Sequence, residues 1–104
     1  MMLKLVFFVP IDSAEKVKEA VFSVGAGRLG NYSQCSFEVK GVGQFKPISG
    51  AKPAIGTLNQ IERVDELRVE ILCSSENILK SIEKLKISHP YEEVAYEVYK
   101  IEQY

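Results

Sequence analysis

Four stretches of this 104-residue chain alternate apolar and polar residues, and two others repeat at helical spacing, in an order that leaves few folds open. Leu3, Leu5, Phe7 and Val9 share one side of a strand whose other side carries Lys4, Val6 and Phe8, so a well-buried strand is predicted over 3–9. Pro10 closes it. Asp12 and Glu15 have the spacing of a capping box, with Asp12 or Ser13 as acceptor for the free N–H groups of a helix start. Val17, Ala20, Val21 and Val24 then recur at helical spacing, and Gly25 stands where a left-handed helix end favours glycine.

From Asn31 the pattern alternates again, with Cys35, Phe37 and Val39 on one side and Ser36, Glu38 and Lys40 on the other, which predicts a second strand. The stretch 41–56 holds four glycines and two prolines and reads as a long loop or a ragged hairpin end. A third strand places Leu67, Val69, Ile71 and Cys73 inward and Glu66, Arg68 and Glu70 outward. Ser75 is expected to cap a second helix with Ile78, Leu79, Ile82 and Leu85 as its apolar stripe, and Pro90 forbids its continuation. Residues 92–101 close the chain as a fourth strand.

The order β-α-β-β-α-β predicts an α+β, ferredoxin-like fold: one four-stranded antiparallel sheet with two helices on one face, in a single domain spanning 1–104. Val6, Phe8, Val94, Tyr96 and Val98 supply more apolar strand positions than one helical layer needs. Either subunits cover the open face of a homo-oligomer, a dimer or a trimer, or the core is larger than this sketch.

Composition narrows the function classes. A net charge of −1 argues against a nucleic-acid binder, which would normally carry a strongly basic face. No segment approaches the roughly 18 apolar residues of a membrane span, and the apolar run at 3–9 is too short for a secretory signal. Two cysteines are too few for a disulfide framework, which favours a reducing, cytoplasmic setting.

Gly25, Gly27 and Gly30 spell G-x-G-x-x-G, the pattern of dinucleotide-binding loops. Such loops follow a strand and open a helix, whose free N–H groups meet the pyrophosphate. Here a helix precedes and a strand follows, so the glycines are read as a turn that needs positive φ. Between Gly25 and Gly56 the basic residues Arg28, Lys40, Lys46 and Lys52 face Glu38 alone. That imbalance makes Arg28, Asn31, Lys46 and Lys52 candidate contacts for a small anionic ligand or a partner protein; solvated loop lysines are the alternative. His89, Glu92 and Glu93 are the only titratable cluster beside the single imidazole and form a candidate site for a divalent, copper-type metal ion. Three or four ligands would have to converge, which here requires several copies of His89; otherwise the ring bonds to backbone at the corner between helix and strand. Cys35 and Cys73 read as small buried apolar residues. No nucleophile motif accompanies the lone histidine, so no catalytic residue and no required cofactor is assigned.

Two stretches taken together resemble a known domain. Gly27-Arg28, Gly30-Asn31-Tyr32, Cys35-Ser36-Phe37, Gly41, Gly43, Phe45, Pro47, Gly50, Pro53 and Gly56 make up the first; His89-Pro90-Tyr91-Glu92-Glu93 with Ala95 and Tyr96 make up the second. With Glu66 and Glu70 they are similar to the domain inserted in the YqfO family, the NGG1-interacting-factor-3-like proteins, and the likeness runs along nearly the whole chain. That insert is itself similar to the CutA and PII signalling proteins, and CutA also carries a His-Pro-Tyr-Glu segment. The resemblance implies a ferredoxin-like fold, self-association, commonly as trimers, and a non-enzymatic binding or regulatory role. Its CutA side is what lends weight to the metal-binding alternative. Full-length members hold two metal ions between lobes flanking the insert, and these 104 residues include neither lobe. The dimetal site, and any hydrolase-type activity tied to it, is therefore not expected of this chain.

Overall fold

The alternating stretches do pair into a sheet, and the computed structural model describes all residues from Met1 to Tyr104. Its elements are β1 (Met2–Pro10), a 3-10 turn (Ile11–Ser13), α1 (Ala14–Phe22), β2 (Phe37–Phe45), β3 (Glu62–Ser74), α2 (Ile78–Ser88) and β4 (Tyr96–Lys100). The strands lie in the order β2-β3-β1-β4, every neighbouring pair antiparallel. This is the ferredoxin-like arrangement. Leu3, Leu5, Phe7 and Val9 of β1 and Leu67, Val69, Ile71 and Cys73 of β3 form one buried layer; Ala14, Val17 and Val21 of α1 with Ile78 and Leu85 of α2 form the other. No helix is long and apolar enough to cross a membrane.

Helix boundaries depart from expectation in small ways. The 3-10 turn absorbs Asp12 and Ser13, and neither helix start has a side-chain cap bond; α2 begins after Asn77 and not after Ser75. Leu79 was expected in the apolar stripe of α2, yet it is 78% exposed, and Ser81 is fully buried in its stead. Ser81 Oγ donates to the carbonyl of Asn77 at 2.8 Å and lies 3.5 Å from Cys73 Sγ. Its polar atom is thus satisfied inside the helix, and the small side chain lets α2 approach β3.

The second strand differs most. It begins at Phe37, leaving Asn31–Ser36 outside, and runs through Gly41 and Gly43 to Phe45. A thirteen-residue β3 offers a ladder along all of it, so pairing overrides the weak strand preference of the glycines. The register pairs Phe37 with Glu70 and Val39 with Arg68, which puts both apolar side chains on the sheet face away from the helices, 64% and 50% exposed. Glu38 turns to the helix side, where its carboxylate meets Lys18 of α1 at 2.9 Å. Cys35 lies before the strand and is half-buried.

The glycine-rich turn is explained by packing. Gly27 has φ +82, its N–H donates to Leu72 at 2.7 Å, and a Cβ there would collide with the Phe22 ring. No helix start lies at this turn.

Of the residues read as surplus, Val6 is fully buried within one chain, Phe8 is half-buried, and Val94 and Tyr96 pack against the core; Val98 is 40% exposed. Tyr96 and Val98 pair with Phe7 and Leu5, on the helix side. On the open face, Glu70 binds Lys4 and Arg68, each at 3.2 Å, and the Arg68 guanidinium lies 5.7 Å from the centre of the Phe8 ring.

Candidate functional site

The chain turns a sharp corner after α2, and a cavity of about 300 Å³ opens beside it on the open face of the sheet. His89 builds the corner. Its backbone is already extended at φ −74, ψ 141, while its N–H still bonds to Leu85 at 3.0 Å. The ring is buried: Nε2–H donates to the Phe8 carbonyl at 2.8 Å, and Nδ1 accepts from the Tyr91 N–H at 3.1 Å. The neutral ring with its proton on Nε2 is the form that satisfies both contacts. Burial lowers the His89 pKa, outweighing the opposing pull of the Phe8 carbonyl and of Glu66.

From this corner Tyr91 reaches over the sheet. Its ring centre is 4.9 Å from that of His89 and 5.8 Å, edge on, from that of Phe45. Its hydroxyl donates to Glu66 Oε2 at 3.0 Å. Burial first, then that hydrogen bond and the charges of Glu66, Asp12 and Glu62, hold the phenol well above its usual pKa, so it stays a donor. Glu66 is only 8% exposed. Its carboxylate lies across β2 at Gly43, where any Cβ would collide with it, so the glycine is the seat for the acid. Tyr91 is its one hydrogen-bond partner, and none of the ion pairs of the protein includes it.

Ala51, Pro53, Ala54 and Ile55 form the rim, and Phe8, Glu92 and Glu93 also line the cavity. The Lys52 N–H donates to Glu92 Oε1 at 2.8 Å, which ties the long loop to the segment after α2. Pro47, whose carbonyl accepts from the Asn59 N–H at 2.6 Å, is buried beneath that loop.

The residues singled out by sequence divide unevenly around this cavity. Glu92 and Glu93 line it, but in the irregular segment before β4, since that strand starts only at Tyr96. Arg28 lies elsewhere, in a shallow groove of about 240 Å³ with Lys4, Phe37 and Glu70. Asn31, Lys46 and Lys52 are exposed, and their side chains line neither space. The four candidates for anion contact therefore do not converge, and the cavity built by the glycine-rich segment is walled by carboxylates. For metal binding, no three His, Cys, Asp or Glu side chains come together within one chain, and both nitrogens of His89 are engaged. Glu66, Tyr91, Phe45 and Gly43 do not stand out in the sequence as a site, because Glu66 reads as an outward strand residue, Tyr91 as a corner residue, and Gly43 and Phe45 as parts of the long loop; only the register brings them together.

Comparison with known proteins agrees with the fold and matches the chain to one part of larger proteins. No family model matches it. It is 46% identical over 105 residues to a GTP cyclohydrolase 1 type 2 homolog of Bacillus subtilis, across 96% of this chain and 27% of that protein. The protein of the same name from Mycobacterium tuberculosis is 43% identical over 96 residues, across 92% of this chain and 25% of the relative. Among solved structures, a Bacillus cereus protein related to NIF3 superposes with a TM-score of 0.84 at 42% identity, over 98% of this chain and 26% of that one. The divalent cation tolerance protein CutA of Archaeoglobus fulgidus superposes with a TM-score of 0.71 at 16% identity, over 99% of this chain and 86% of its own, a likeness of fold. The chain thus spans about a quarter of the length of the curated relatives it matches. In sequence and in fold it is homologous to the CutA-like segment of the NIF3-related, YqfO-family proteins.

Proposed function

We propose that this domain is a non-enzymatic, self-associating binding module that assembles through β2. One observation carries the reading: β2 is an edge strand, paired only with β3, whose residues are nearly all exposed on both faces. Phe37 and Val39 on one side and Val42 on the other are 64%, 50% and 66% exposed. Soluble proteins normally blunt such an edge with charge, proline or a covering element, because an open apolar edge recruits further strands. Covering β2 with a second copy removes that liability and places the cavity, whose floor includes Gly43 and Phe45 of the same strand, close to the contact. The kinship with larger proteins supports an accessory role for the module.

Sedimentation velocity of the wild-type chain and of Val39→Glu tests the proposal. Wild type is expected to sediment as more than one copy and Val39→Glu as a single chain with an unchanged circular dichroism spectrum. Wild type sedimenting as one copy up to sub-millimolar concentration contradicts it.

A further inference from the structure

The cavity beside the His89 corner combines two features that are seldom idle together. Glu66 is more than nine-tenths buried, one oxygen accepts from Tyr91, and no cation of the protein pairs with the carboxylate. Buried carboxylates are ordinarily paired, since desolvation without a partner is costly. Around it stand the aromatic rings of Tyr91, Phe45 and Phe8, with Glu92 and Glu93 at the mouth. Aromatic faces attract organic cations, and more so when water is excluded. Arg68, the one cation stacked near this wall, is committed to Glu70. A volume of about 300 Å³ sits at the lower end of the range of small-molecule sites, suited to a compact ligand.

We infer that the cavity binds a small organic ammonium ligand, its N–H groups donating to the Glu66 carboxylate and its carbon skeleton lying against Tyr91 and Phe45. The Lys52–Glu92 bond holds the rim over it. Gly43 belongs to the recognition apparatus, since any side chain there would displace the carboxylate. The inference rests on the reading of the domain as a binding module, though not on its self-association.

Three shape-related probes test it by nuclear magnetic resonance on the ¹⁵N-labelled chain: benzylammonium, benzyl alcohol and benzoate. Benzylammonium is expected to shift the amides of Gly43, Glu66 and Tyr91 saturably, with affinity at least about tenfold above that of benzyl alcohol. Benzoate is expected to bind more weakly than either. Glu66→Gln, which keeps an acceptor for the Tyr91 hydroxyl, is expected to reduce benzylammonium to the affinity of the alcohol. Equal binding of the three probes, preference for benzoate, or the absence of saturable shifts overturns the inference, and the wild-type ranking decides this even if the variant folds poorly. Preference for copper(II) or zinc(II) over benzylammonium at the same amides overturns it in favour of a metal site. Sedimentation of the same samples separates the two proposals: an assembled chain that ignores every probe defeats this one alone, and a single chain that selects benzylammonium defeats only self-association.

Discussion

His89 is held at both ring nitrogens by backbone, and only the neutral ring satisfies the two contacts. Its pKa in the folded chain lies below the ordinary 6.5, chiefly because burial disfavours the charged ring. Above about pH 6.5 the ring is neutral in both states and the corner is intact. Below that, the unfolded chain takes up a proton that the folded chain resists, so stability falls as pH drops, by up to about 1.4 kcal/mol per unit until the folded ring also protonates. Urea unfolding from pH 7.5 to 5 should show this decline, and His89→Gln, which retains a donor toward Phe8, should flatten it while lowering stability throughout. An equal slope in the variant would assign the decline to other groups. Gly43→Ala drives a methyl into the Glu66 carboxylate and should cost about 1–3 kcal/mol. Combined with Glu66→Ala the cost should be less than the sum of the two, because the collision is gone. Additive losses in the double mutant would place the strain elsewhere. The bond from His89 to backbone was one of the two readings its sequence context allowed, whereas nothing in the sequence around Gly43 points to Glu66, 23 positions away, until β2 and β3 are in register.

At the scale of the element, α2 shows how far periodicity reaches. The helical repeat locates the element, and Ile78 and Leu85 are buried as expected, but Leu79 faces solvent and Ser81 takes the inner position. Apolar content alone does not decide which neighbour turns inward when a serine can satisfy its hydroxyl on its own helix. Leu79→Lys should therefore change stability by no more than about 0.5 kcal/mol, while Leu85→Ala should cost about 2–5 kcal/mol by opening a cavity in the core. Thermal melts of the two variants check the contrast, and comparable losses in both would mean that Leu79 is covered in solution. For β2 the alternation was legible and the length was not. Glycine and proline content in 41–56 signalled a loop, yet the partner strand was long enough to order its first five residues, 41–45.

For the whole molecule, alternation and helical spacing together were sufficient to read the order of elements, and from that order follow the antiparallel sheet and its strand sequence. The cavity was not readable in the same way, because its parts come from β1, β2, β3, the long loop and the segment after α2. Such a site exists only through register and loop placement, which local pattern does not encode. The proposed self-association rests on the β2 edge, which is left open on both faces. Hydrogen exchange at the β2 amides not bonded to β3 reads that claim most directly. If copies join through β2, those amides should exchange slowly in concentrated wild type and quickly both on dilution and in Val39→Glu. Exchange at the rate of open-edge amides at every concentration would contradict assembly through this strand.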